Sequence, residues 1–438
     1  MTKVTRNQTI ILGIVGVVVL FLILIFTGVI PGLRTASKKQ VKADLDFWGV
    51  FDKSSVYQNV IDQFQDLHQG IKINYRQLDP ETYENELINA LAAGRGPDIF
   101  MIHNTWLPKH YDKISPLPEE KLNIAVYGDQ LFPKVVKTDF TSNDTIYAFP
   151  LSIDTLALVY NKDIFDQSGI ALAPTTWLEF QNIVPQLRIL DKTGKISRAA
   201  AAIGGSNKSV NRATDLLSLL MLQAGAEMTD RDFTRATFAQ SLTGGFSPGL
   251  NALEFYTRFA NPINFDYTWN EALHYSLDSF AESSSAMIFN YAYQLPNLKA
   301  KNPLLNLGVA PIPQNNPAKA VNYANYWGYT VSNKSQYSDL IWDFILLLTT
   351  NQNNAKNYLQ ETQKPPALRF LINEYSNDPE IGIFAKQILT AKSWPQINDN
   401  KIETIFSDMI ESVINGRQSA ETALDQAEAE VSQLMMRK

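Results

Sequence analysis

Tryptophans and tyrosines recur beside short polar side chains where extended segments of this chain end. That pairing suits the gripping of a small molecule, because flat rings cover apolar faces while carboxylates and amides supply directed hydrogen bonds. Trp48 closes the run LDFW and Asp52 follows it, Asn104 and Trp106 follow DIFMI, and Tyr291 and Tyr293 follow AMIF. Trp327 in YANYWGYTV and Trp394 in KSWPQ are further candidate platforms. A tryptophan near a strand end also serves as partly buried packing, so each candidate has a structural alternative. Arg212 and Asp215 are placed to reach a ligand cleft from the second half of the chain, with surface solvation the favoured reading. Bond-breaking chemistry has less to work with. The histidines at 68, 103, 110 and 274 form no HExxH pair, and there is no GxSxG elbow or GxxxxGK phosphate loop. His103 and His110 read as packing or surface residues. With no cysteine, disulfides, thiolate metal sites and thiol nucleophiles are excluded. No pair of strand-end acids of the kind a glycoside hydrolase uses stands out. Neither a cofactor nor a metal is expected.

The elements that position these residues follow from periodicity. Leu45–Trp48 reads as an opening strand, and Val56, Val60, Ile61, Phe64 and Leu67 recur at helical spacing before Gly70. Ile71–Tyr75 alternates as a second strand. A helix with Tyr83, Leu87, Ile88 and Leu91 on one face leads to an apolar strand at Asp98–Ile102. Strand-helix-strand-helix-strand with short connections predicts a parallel sheet, in which the loops after the strands' carboxyl ends hold ligands. A hairpin is expected at Asn143–Asp144, and strands at Leu156–Tyr160, Ala286–Phe289 and Leu307–Ala310. Two amphipathic helices, through Ile402–Val413 and Ala423–Leu434, close the chain.

A length of 438 residues fits two domains, and 45% hydrophobic with 19% charged residues describes a chain that buries large cores. A net charge of -6, from 38 basic and 44 acidic residues, argues against nucleic acid as a partner. Residues 10–30 (IILGIVGVVVLFLILIFTGVI) form an uncharged run long enough to cross a bilayer. Pro-Gly-Leu-Arg follows directly, with no small-x-small cleavage site, so an uncleaved anchor is expected over residues 1–35 and a polar spacer over 36–42.

The ordered stretches LDFWGVFD, AAGRGPDIFMIHNTWLPKH, TIYAFPLSIDTLALVYNKDIF, the TW of APTTWLEF, SSSAMIFNYAY, LGVAPIP and VINGRQSAETALDQA resemble the extracellular solute-binding proteins of ATP-binding-cassette importers. The similarity is to the sugar-binding branch typified by maltose-binding protein. The resemblance implies a type II-like periplasmic-binding-protein fold: two discontinuous α/β lobes joined by hinge strands, here preceded by one transmembrane helix. It implies a first lobe over 43–152 plus 311–355 and a second over 153–310 plus 356–438. It also implies that Asp154 is an acidic ligand contact at the first crossing, that Tyr293 is a stacking aromatic, and that a monomer delivers its solute to a membrane permease. The chain departs from the family in lacking the lipid-anchoring cysteine of many relatives. It also has Asn104-Thr105-Trp106 where maltose-binding protein places charge after GPDI, so maltodextrin specificity does not carry over. A sugar's apolar faces and hydroxyl rim match the aromatic and polar candidates. Asp52 and Asp154 leave a polyamine as the alternative ligand, and a sensor that presents its solute to a partner is a further reading.

Overall fold

The strand Ala43–Val50 buries Ala43, Leu45 and Phe47 on one face, Ile71–Leu78 buries Ile71 and Ile73 in the same alternation, and Ile99–His103 is buried along nearly its whole length. The computed structural model describes residues 41–436. Helices Ser55–Leu67 and Tyr83–Ala92 connect this strand to Ile71–Leu78 and Ile99–His103, both parallel to it. Trp327–Ser332 then enters beside Ile99–His103 antiparallel, with Trp327 opposite His103, and Ile114–Ser115 lies at the edge. The three parallel strands therefore end on one side, and the loops beginning at Phe51 and Asn104 emerge there together.

A second sheet has Ala157–Asn161 at its centre, flanked antiparallel by Met287–Asn290 and Leu307–Ala310. Helices Ala213–Ala224, Pro248–Thr257, Asp399–Ile414 and Ala420–Met436 contribute to the same core. Each sheet thus has its own hydrophobic core, as two lobes require. The expected hairpin is present. Asn143 and Asp144, at φ 49° and 59°, link Thr141–Ser142 to Thr145–Ile146, the backbone that a two-residue turn between twisted strands favours.

A small third sheet, in the order Ala391–Lys392, Asn322–Asn325, Asp154–Thr155, gathers the crossings between lobes. Ile153 packs in the first core and Leu156 in the second, Tyr323 in the second and Ala324 in the first, and Ala391 in the first and Trp394 in the second. Three crossings lie side by side, so the lobes are joined through one short sheet and not through separate loops.

Core membership differs from the lobe boundaries expected from sequence. Tyr358, Leu359, Leu371 and Ile372 pack in the first core, whereas the resemblance implies a second lobe over all of 356–438. Ile312 and Tyr323 pack in the second, whereas the resemblance implies 311–355 in the first. A helical stripe announces that a helix has an apolar face, not which of two cores receives it. The apolar run at 10–30 lies outside the described residues. Among the described residues no helix is long and apolar enough to cross a membrane.

Gly328 seats Trp327 against the first lobe. A Cβ there would lie 2.5 Å from Phe140 Cε2 and 3.0 Å from the Ala148 Cβ, both fully buried. Gly328→Ala is expected to destabilise the protein by roughly 1–3 kcal/mol through overpacking. Chemical denaturation checks this, and an unchanged midpoint would mean that Phe140 repacks freely.

Candidate functional site

Where the loops of the first sheet face the second lobe across the crossings, a cavity of about 400 Å³ opens. That volume lies within the ~300–1,000 Å³ usual for small-molecule sites. Phe51, His103, Ser152, Trp327 and Lys364 form its first-lobe wall, and Arg212, Asp215, Tyr293, Asp399 and Glu403 the facing wall. Asp154, Tyr323 and Asn325 come from the crossing strands between them.

Four of the nine residues singled out in the sequence line this cavity: Asp154, Tyr293, Trp327 and Trp394. Asp154 accepts backbone N–H bonds from Thr155, Ala292 and Tyr293 at 2.9, 3.0 and 3.1 Å. Burial pushes its carboxyl up to about 6, against the downward pull of those donors and of Lys364. Trp327 has rings of Phe51, Tyr83, His103 and Trp106 around it at 4.9–5.8 Å, all close to perpendicular. Tyr293 is partly exposed and stacks at 5.8 Å on the fully buried Tyr291. Trp394 is almost wholly buried and stacks on Phe406, so little of its ring is free for a ligand.

The other five candidates do not line the cavity. Trp48 is not at the strand's end, because the strand runs on to Val50, and the Arg76 guanidinium covers its ring at 5.2 Å. Asp52 is buried and accepts from Tyr358 Oη at 2.8 Å and from Lys364 Nζ at 2.6 and 2.8 Å, which fixes the lysine at the cavity edge. Asn104 donates to buried Asp139 at 3.0 Å. Asp139 also accepts from Ser393 and Tyr326, and burial pushes its carboxyl up to about 6. Trp106 is buried, and its indole N–H donates to Asp399 at 2.9 Å. Since Trp106 packs in the first core and the helix of Asp399 in the second, this bond spans the lobes. Tyr291 donates its hydroxyl to Asp215 at 2.8 Å.

Arg212 and Asp215, expected at the surface, face the cavity. Arg212 stands just before the helix Ala213–Ala224 in a left-handed conformation, φ 60°. Its guanidinium lies 5.6 and 5.7 Å from the rings of Tyr291 and Tyr293 and donates to Tyr293 Oη at 3.0 Å. Asp215 is 3.7 Å away. The sequence signal that existed was Arg-x-x-Asp at the start of a predicted helix, which equally describes a solvated turn. His103 also faces the cavity, and burial holds its imidazole below the usual range against the pull of Asp399. Burial raises Glu403, with Asp215 adding to the shift. Lys364 and Phe51 were not anticipated: Lys364 is placed by Asp52, 312 residues away in sequence.

The wall thus carries four carboxylates, Asp154, Asp215, Asp399 and Glu403, against the two cations Arg212 and Lys364. Both cations already have carboxylate partners. Among the described residues no group of three or more histidines and acids is placed to hold a metal ion.

A cleft walled by rings and hydrogen-bonding groups, between two α/β lobes that share one hinge sheet, defines a two-lobed ligand-binding protein. The sequence model of the bacterial extracellular solute-binding proteins matches residues 49–355, and the chain belongs to that family. It is similar to the maltodextrin-binding protein MdxE of Bacillus subtilis, with 23% identity over 423 residues, 90% of this chain and 92% of the relative. To the galactooligosaccharide-binding protein of the same organism the identity is 21% over 431 residues, 91% of each. Among solved structures, the sugar-binding protein MalE of Xanthomonas citri superposes with a TM-score of 0.74 at 19% identity, covering 90% of this chain and 98% of that one. That likeness bears on the fold.

Proposed function

We propose that this protein captures a saccharide in the cleft by closure of its two lobes and delivers it to the permease of an ATP-binding-cassette importer, catalysing no reaction. The observation that carries this reading is the conjunction in one hinge-spanned cavity of the aromatic surfaces Trp327 and Tyr293 with the carboxylates Asp154 and Asp215. Rings cover the apolar C–H faces of a sugar, and a carboxylate accepts two hydroxyl bonds. The saccharide-binding names of the two Bacillus relatives support the same ligand class.

Closure would follow from differential affinity: a solute touching both walls binds the closed arrangement better and shifts the population toward it. The apolar run at 10–30 would tether the lobes outside the cytoplasm and raise their effective concentration at the permease. Phosphorylated solutes fit less well, since Arg212 and Lys364 are both engaged by carboxylates. The surplus of carboxylates in the wall favours a polyamine as the second reading.

Thermal unfolding in the presence of mono-, di- and oligosaccharides, polyamines and sugar phosphates tests this. A ligand that binds only the native state adds about 2.7 kcal/mol at a hundredfold excess over Kd. Stabilisation by a neutral saccharide class is expected. Stabilisation by polyamines alone would replace the reading, and consumption of a sugar would point to an enzyme.

A further inference from the structure

Phe51 sits at the centre of a three-residue turn, closed by a 2.7 Å bond from Asp52 N–H to the Val50 carbonyl, with φ 65°. That turn of positive φ is rarer and more strained than its inverse, and for a bulky side chain the conformation is an outlier. The surroundings hold it there. Tyr75 Oη donates to the Asp52 carbonyl at 2.6 Å, Gln77 Nε2 donates to the Phe51 carbonyl at 3.1 Å, and both oxygens of the Asp52 carboxylate are bound by Lys364. Packing does not explain why the strained position carries a phenyl ring, since the side chain is half-exposed, at 50%. Glycine would meet the backbone requirement without strain. What the ring does reach is the cavity. It lines the first-lobe wall and stands at 74° to Trp327 with 5.8 Å between centroids, and the Lys364 ammonium lies 6.0 Å from its face.

The turn seats Asp52, but that requires no phenyl ring, and a bulky side chain kept at a strained position facing a cavity points to function. We propose that Phe51 is a ligand contact that sets specificity: its ring and Trp327 form a right-angled aromatic corner that receives the apolar face and edge of one saccharide ring. This rests on the proposed saccharide reading and adds to it a residue whose place is fixed by strain. A corner of two rings at 74° covers a C–H face and one edge of a sugar ring and leaves the hydroxyls on the remaining edges for the polar wall.

The test compares Phe51→Gly, Phe51→Ala and Phe51→Trp in the full chain, kept in solution with mild detergent, by calorimetric titration with the saccharide that stabilises the wild type and by thermal unfolding. Both small variants are expected to bind about tenfold more weakly, the loss of one aromatic contact. Phe51→Trp is expected to bind within about threefold of the wild type, since it keeps a ring at the corner. Phe51→Gly should unfold roughly 1–2 °C above Phe51→Ala, because only glycine accepts the positive φ freely. Unchanged Kd in both small variants would overturn the contact, and an alanine variant as stable as the glycine one would overturn the strain. If the wild type itself gives no binding heat with any saccharide, the ligand class fails and the corner with it, an outcome told apart because no variant is needed to see it.

Discussion

Trp327→Ala is expected to weaken ligand binding by roughly 30- to 100-fold, about 2–3 kcal/mol, the range of a central aromatic anchor. The geometry explains why this ring should dominate. It begins the strand Trp327–Ser332, directly after the crossing Asn322–Asn325, so the residue that opens the first-lobe strand stands beside the hinge. Near-perpendicular rings of Phe51, Tyr83, His103 and Trp106 restrict its rotation, so little side-chain entropy remains to be lost when a ligand stacks on it. The same neighbours mean that alanine leaves a gap in the wall, and a stability loss of a few kcal/mol accompanies the change. Titration well below the lowered melting temperature separates the two effects, and Trp327→Leu, which refills part of the gap, should recover stability more than affinity. Wild-type affinity in a folded Trp327→Ala protein would remove the ring from the site.

How the sequence relates to this site can be read from individual residues. Alternation and helical stripes located the strands from Ala43 to His103 and hence the edge on which ligand loops emerge, because a half-buried element writes its period into the chain. Side-chain direction was less legible. The run LDFW reads as ending at Trp48, but the strand continues for two residues, which puts Phe51 and Asp52 in the loop and Trp48 under Arg76. Trp106 and Asn104 do lie in the loop after the third strand, yet their polar atoms are taken by Asp399 and Asp139. Those partners lie 293 and 35 residues away in sequence, and no local pattern encodes such pairings. Lys364 is hidden for the same reason. Asp154 is legible through resemblance and not through periodicity, because a two-residue hinge strand carries no period to detect, whereas Tyr293 is legible as a residue following the strand AMIF and only its stacking role rests on resemblance.

Lowering the pH from 7 to 5 is expected to weaken ligand binding while stabilising the ligand-free fold, and Asp154→Asn is expected to flatten both responses. Burial raises the Asp154 carboxyl from 3.8 to about 6, despite three backbone donors and Lys364. Between those values the folded chain holds a proton that the unfolded chain has released, so stability falls as pH rises through this window. Above about 6 the full penalty is present, of order 3 kcal/mol for a shift of about two units. Ligand binding runs the other way. The ionised carboxylate accepts hydroxyl bonds, and protonation below about 6 turns one acceptor into a donor. Asp139 is raised into the same range and contributes to the stability trend, but it lies outside the cavity lining, held by Ser393, Tyr326 and Asn104. Glu403, raised by burial, and His103, lowered by it, also face the cavity, so Asp154→Asn should reduce the pH dependence of affinity without abolishing it, and part of the stability trend persists through Asp139. Titrations at pH 5, 6 and 7 on both proteins decide the matter. Equal pH dependence of affinity in wild type and Asp154→Asn would place the titrating group elsewhere and remove Asp154 from contact with the ligand.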